Sequence, residues 1–256
     1  MAPYDRKFFD RQDEGVLRSA RAILPVVMEF LTPRSAIDIG CGTGTWLSVV
    51  RELGIEDITG VDGDYINPQW LCVPRECFIA HDLRKPLALD RRFDLVMSLE
   101  VAEHLPPDSA DEFIETLTGL GPVVLFSAAI PRQGGTDHVN EQWPEFWADH
   151  FRRRGFAAID CIRERVWQDR QVDYFYAQNT LLYVREDDLS RYPKLAEPIA
   201  RTRLTQLSVV HPRRYLTVAD PSNLSLKLVL WLLPRMVARV IGARLRRMFR
   251  RGASTP

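Results

Sequence analysis

Three groups of residues in this 256-residue chain have types and spacings that can do chemistry. The first is Asp38 followed by Gly40, Gly42 and Gly44, with Cys41 inside the run AIDIGCGTGTW from Ala36 to Trp46. Glycine accepts positive φ and lets a ligand approach the main chain closely. Alternating glycines that lead into helix-compatible residues therefore build either a binding turn or a purely structural one. The helix behind such a turn aims unpaired N–H groups and the positive end of its dipole at the turn, which suits an anionic group.

The second group is Glu100, Glu103 and His104 in EVAEHL. If a helical turn starts at Val101, the three share one face. Two carboxylates and an imidazole can hold a divalent cation, Mg²⁺ or Mn²⁺ in preference to a thiol-seeking metal. The same residues also suit a helix start, with acids set against the dipole and a packed histidine. The third group is His138 in AAIPRQGGTDHVNEQW, Ala128 to Trp143, with Asp137 and Glu141 close by. It fits a general base, a fourth metal ligand or a solvated loop histidine, and the polar, double-glycine loop fits a lid.

The elements that must position these residues are legible from periodicity. From Glu14 to Leu31 apolar residues recur at three- and four-residue steps, an amphipathic helix closed by Thr32-Pro33. The pattern then predicts strands at Ala36–Ile39, Ile58–Asp62, Phe78–Ala80, Phe93–Leu99 and Pro122–Phe126. Helices fall between, at Trp46–Leu53 and from an Asp108 cap to Leu120. A helix over Gln142–Arg153, with Asn140 as cap and Pro144 in its first turn, puts Trp143, Phe146 and Trp147 in the core in preference to an acceptor wall. Ala157–Ile162 and Asp173–Val184 read as two edge strands that pair. Alternating strands and helices require an α/β fold, a parallel sheet with helices on both faces. Ligands then sit beyond the carboxyl ends of the strands. An acid ending the second strand, ~20 residues past the glycines, takes ribose hydroxyls in such sheets. Asp62 comes 18 residues after Gly44, with Asp64 as competitor and a solvated turn residue as the alternative.

The third glycine comes one residue earlier than in a dinucleotide G-x-G-x-x-G turn, and Thr45 stands in its place. The D-x-G-x-G-x-G run, the acids after strands two and three and the fourth-strand motif occur in an order that resembles class I S-adenosylmethionine (SAM)-dependent methyltransferases, from about Ile23 to Val184. The resemblance implies a Rossmann-like, seven-stranded, mostly parallel sheet whose last strand is antiparallel. It implies SAM as cofactor, held by Asp38, Gly40, Cys41, Gly42, Gly44, Asp62, Asp82, Leu83 and Ser98, with Asp82 at the exocyclic amine of adenine. The E-x-x-E-H pattern is similar to the metal motif of ubiquinone-pathway O-methyltransferases and small-RNA 2′-O-methyltransferases. That implies Glu100, Glu103 and His104 as ligands of Mg²⁺ or another divalent cation; by residue type and position, His104 and His138 are the candidate catalytic histidines. GVDGDY and HVNEQW look like methyltransferases of glycan assembly, which implies O-methylation of a glycan, sugar nucleotide or lipid-linked saccharide. A quinone-precursor-like acceptor and a non-catalytic SAM-binding subunit are the alternatives.

Composition bounds the rest. Apolar content of 46% and charged content of 27% are globular values. Net charge is zero but unevenly spread: after Asp220 there is no acid, while Lys227 and seven arginines from Arg235 to Arg251 leave the tail at +8 and the preceding residues at −8. An acidic body argues against a nucleic-acid partner. The four cysteines form no C-x-x-C pair, which fits a reducing compartment, and the charged N-terminus does not read as a signal peptide. These features predict a cytoplasmic protein.

The expected organisation is an N-terminal helical segment on the core (1–32), the catalytic domain (33–185), an extension without a readable motif (186–221) and a basic amphipathic helical tail (222–256). Within the tail, LSLKLVLWLLP is interrupted by Pro234. Arg239, Arg246 and Arg250 mark one face beyond it, and Val237, Ile241, Leu245 and Met248 another. With Trp231 and Phe249, this resembles a peripheral anchor on anionic membrane, the alternatives being a docked helix or a partner interface. His150 and His211 join no constellation and are expected at the surface.

Overall fold

The computed structural model describes residues 6–223 and 226–252. Residues up to His211 form one compact unit and those from Pro212 a second. The first unit is built on β1 (Ser35–Ile39), β2 (Asp57–Asp62), β3 (Phe78–Ala80), β4 (Leu95–Leu99), β5 (Val123–Ser127), β6 (Phe156–Ile159) and β7 (Leu181–Arg185). They form a single sheet in the order β3-β2-β1-β4-β5-β7-β6. β7 lies antiparallel to both β5 and β6, while the other pairs are parallel. The chain order reverses between β1 and β4, so a crevice opens at the carboxyl ends of those two strands.

Successive residues of a strand face opposite sides of the sheet. Ala36, Leu95, Met97, Leu125 and Leu182 enter a core covered by α1 (Arg6–Phe30) and α2 (Thr45–Glu52). Ile37, Val96, Val124, Phe126 and Tyr183 enter a second core under α3 (Ala110–Leu120) and α4 (Pro144–Arg153). Strands buried on both faces are the reason β1, β4 and β5 read as continuous apolar runs. Trp147 packs into the second core beside Phe126, whereas Trp143 stays exposed.

Several local expectations are corrected. Asp173–Val184 is not one strand: Tyr174–Asn179 forms the short helix α6 before β7. Its aromatic residues favour a strand locally, but Tyr176 is buried edge-on against Trp46, and helical spacing makes that contact. Asn140 does not cap α4, because the helix starts later, after Trp143, and Asn140 is buried in the preceding loop. Asp108 lies within a single tight turn, Pro107–Ser109, instead of capping α3. His211 is buried, its ring 2.9 Å from the Trp167 carbonyl, and His150 is half-buried with Nδ1 3.0 Å from Asp111. Residues 186–211 also pack with the sheet unit. After α5 (Arg163–Val166), α7 (Ala196–Arg201) follows the buried Leu195, and Arg163 Nη1 donates to the Leu207 carbonyl at 2.6 Å.

The second unit contains α8 (Pro212–Ala219) and α9 (Leu226–Gly252). Pro234 does not interrupt α9, which continues through it at the cost of one main-chain hydrogen bond. Among the described residues no helix is long and apolar enough to cross a membrane.

Candidate active site

Beyond β1 the chain makes its glycine turn. Gly40, Gly42 and Gly44 all adopt positive φ, at 84°, 54° and 83°. A Cβ at Gly40 would lie 2.4 Å from Val101 Cγ2, so the turn excludes any side chain there. The Gly40 and Cys41 amides both donate to the Val61 carbonyl, at 2.8 and 3.1 Å, which ties the turn to β2. Asp62 at the end of β2 fixes its other side, with Oδ2 accepting from the Gly42 amide at 2.7 Å. Oδ1 accepts from the Gly63 amide at 2.7 Å and from the Tyr65 hydroxyl at 2.5 Å. Burial raises the Asp62 carboxyl pKa, and these three donors oppose the shift. Such an arrangement brings the main chain of the turn and one carboxylate to the edge of a cleft.

The turn opens into a cavity of about 1220 Å³. Gly40, Cys41, Gly42, Asp62, Asp82 and Leu83 line it, as do Glu100, Glu103, His104 and His138. The cavity therefore gathers residues from all three chemical groups. Three expected cofactor contacts, Gly44, Ser98 and Asp38, do not line it. Ser98 is fully buried inside β4, and Asp38 is only 2% exposed on the α1/α2 side of the sheet. A strand buried on both faces gives no sign of which residue meets a ligand. Asp38 instead stays buried within β1. Burial, and then neighbouring Asp62, push its carboxyl up to about 8. Asp82 is engaged by Arg84, whose Nε and Nη2 donate at 2.8 and 2.9 Å, and those hydrogen bonds lower its carboxyl to about 2.

The E-x-x-E-H group is arranged differently from the helical-face expectation. Residues 102–104 make one tight turn, and Glu100 precedes it with φ +56°, a conformation rare outside glycine. Its carboxylate turns toward two amides, accepting from Gln133 Nε2 at 2.7 Å and Asn179 Nδ2 at 3.0 Å. Glu100 is thus not one of the converging groups; these are Glu103, His104 and His138, whose ligand atoms lie within 4.8 Å of one another. The two imidazoles meet edge to face, with centroids 4.9 Å apart.

Glu103 is fully buried, and neither carboxylate oxygen has a hydrogen-bond partner among the described residues; His104 Nδ1 is likewise without one. Burial, then the adjacent Glu100, drive the Glu103 carboxyl well above its ordinary range. Burial and His138 lower the His104 pKa. Unpartnered, converging donor atoms of this kind fit a cation better than they fit an empty interior.

His138 is aimed by its own loop. Nδ1 lies 3.0 Å from Glu141 Oε1, and that carboxylate also accepts from the Arg132 and Gly134 amides at 2.6 and 2.7 Å. Gly135 clears the space, since a Cβ there would fall 2.1 Å from His138 Nε2. The expected lid is fastened: the Val139 and Asn140 amides both donate to the Glu103 carbonyl, at 2.9 and 3.0 Å. Sequence reasoning missed Gln133 and Asn179, since amide side chains at 33 and 79 residues' separation from Glu100 form no motif.

A doubly wound sheet with a glycine turn after β1 and an acid after β2 defines a nucleoside-binding α/β enzyme. A methyltransferase-domain family matches residues 9–160, more than half of the chain. The chain belongs to that family and is a class I SAM-dependent methyltransferase. Comparison with curated protein sequences gives no match. Among solved structures, the chain is similar to magnesium protoporphyrin IX methyltransferase from Synechocystis PCC 6803 with bound SAH, S-adenosylhomocysteine. The identity is 18%, covering 69% of this chain and 87% of that one, with a TM-score of 0.49. It is also similar to the plantazolicin methyltransferase BpumL in complex with SAH, at 15% identity over 70% and 88% of the two chains and a TM-score of 0.50. These similarities concern the fold.

Proposed function

We propose that this methyltransferase transfers a methyl group to a hydroxyl oxygen of a saccharide, sugar nucleotide or lipid-linked saccharide, with help from a divalent cation. The observation that carries the reading is the unpartnered Glu103 carboxylate, converging with His104 and His138 on the cavity that also holds the glycine turn. In this reading the turn from Gly40 to Thr43 and the Asp62 carboxylate hold the nucleoside, and Asp82 with Leu83 borders the base. Bound SAM supplies an already electrophilic methyl group, so the chain's task is alignment of the attacking oxygen and removal of its proton.

One carboxylate and two imidazoles would hold the cation, a donor set that suits Mn²⁺ or another first-row ion better than Mg²⁺. Held by Glu103, His104 and His138, such an ion would supply Lewis acidity that lowers the pKa of an acceptor hydroxyl. Glu141 orients the His138 ring from behind, as carboxylates commonly do for ligating or proton-accepting histidines. Glu14, Asp173, Tyr174 and Phe175 line the outer cavity, and carboxylates beside aromatic rings suit sugar hydroxyls and pyranose faces. A catechol-like quinone precursor also offers a diol, and a SAM-binding subunit without turnover is the reading outside catalysis.

Calorimetry and labelled SAM with a fractionated lysate test the assignment. SAH should bind the EDTA-treated protein, Mn²⁺ should bind it separately, and label should enter the lipid-linked saccharide or sugar-nucleotide fraction. E103Q should weaken Mn²⁺ binding at least about tenfold and leave SAH affinity within about twofold. Label in a quinone fraction would select the second acceptor, and absence of Mn²⁺ binding would remove the metal.

A further inference from the structure

The second unit presents a surface that the methyl-transfer reading does not use. In α9, Leu226, Leu230, Leu233, Val237, Val240 and Ile241 recur at three- and four-residue steps, and each is 48–73% exposed. Steps of three and four place them on one side of a helix. Such a continuous apolar stripe facing water marks an interaction surface. The opposite side carries Arg235 and Arg239, and the sequence beyond Asp220 contains eight basic residues and no acid. On that cationic side Trp231, one turn before Arg235, sits under its guanidinium at 4.0 Å, and the ring is itself 58% exposed. An exposed amphipathic ring paired with a guanidinium on the polar side of an apolar stripe matches what the headgroup level of a bilayer accommodates.

We propose that α9 is an interfacial helix that lies flat on a bilayer surface containing anionic lipid, with the Leu226–Ile241 stripe in the acyl boundary. Length alone would let 27 residues span a bilayer. Five arginines between Arg244 and Arg251, on top of Arg235 and Arg239, make spanning too costly, so the helix rests in the interface. Charge selects this occupant over a second copy of the chain, because pairing two stripes would bring together two tails of +8 with no acid to offset them. It also selects it over RNA, which would engage the arginines and leave the stripe in water. The inference rests on the second unit alone and is independent of the acceptor and of the metal.

Co-sedimentation of the full chain with vesicles tests it. The protein should pellet with phosphatidylcholine vesicles containing about a third phosphatidylglycerol and stay in solution with pure phosphatidylcholine, because cationic residues gain only from the charged surface. Raising the salt from 0.1 to 0.5 M should weaken binding several-fold. V237E/V240E should lower it at least about tenfold, and R235E/R239E should lower it chiefly at low salt. SAH affinity, unchanged in both variants, reports that the first unit remains folded. Equal binding by the wild type and V237E/V240E would overturn the proposal, as would failure of the wild type to bind either vesicle. A dimer in sedimentation velocity that V237E/V240E dissociates, without vesicle binding, would assign the stripe to a second copy. Single-stranded RNA bound equally by wild type and V237E/V240E, with vesicles ignored, would assign the charge to RNA.

Discussion

Replacing Asp38 with Asn should stabilise the unliganded protein, and the gain should grow with pH. Asp38 is 2% exposed in β1, and burial together with nearby Asp62 pushes its carboxyl from 3.8 up to about 8. Because the folded pKa is the raised one, the protonated carboxyl costs nothing extra below pH 3.8. As pH rises toward 8, the unfolded chain releases a proton that the folded state keeps, and folding loses about 1.4 kcal/mol per pH unit. Three units separate pH 4 from pH 7, so the penalty at neutrality is on the order of 4 kcal/mol. D38N has no proton to lose. Urea unfolding of both proteins at pH 5, 6, 7 and 8 should show the variant's advantage climbing by about 1.4 kcal/mol per unit until the pH reaches the folded-state pKa, where it levels off. Stability differences that stay flat across the four pH values would refute the argument.

Two further substitutions probe other parts of the site. G135A places a Cβ 2.1 Å from His138 Nε2 and should displace that ring, lowering turnover at least about tenfold with SAH affinity unchanged; steady-state kinetics beside calorimetry separates the two effects. Y65F removes the hydroxyl that occupies Asp62 Oδ1, an atom a ribose would use, and should tighten SAH by about threefold. Weaker SAH binding by Y65F would instead make Tyr65 part of the binding surface.

The sequence made the sheet legible because its central strands are buried on both faces and its glycines alternate where φ turns positive. Those are local demands that only particular residue types meet. Asp62, His104 and His138 could be read for the same reason: charged and imidazole groups stand at strand ends or in a loop, where the fold points them at one crevice. What could not be read depends on contacts far apart in sequence. Tyr174–Asn179 is helical because Tyr176 packs on Trp46, 130 residues earlier, against its local strand preference. The assignment of Glu100 as a ligand assumed regular helix geometry, and a single residue at φ +56° redirects that carboxylate to Gln133 and Asn179. Ser98 was misplaced because both neighbours along its strand are as buried as it is.

The Glu103 carbonyl that receives both Val139 and Asn140 separates two tasks within one residue. Its side chain faces the histidines, while its main chain anchors the far end of the loop that brings His138 back to the cleft. A backbone anchor survives replacement of the Val139 and Asn140 side chains, so this end of the loop keeps its place, whereas Gln133 and Gly135 at the other end are committed by their side chains to Glu100 and to the His138 ring. Redesign of substrate choice in this enzyme has a natural boundary there.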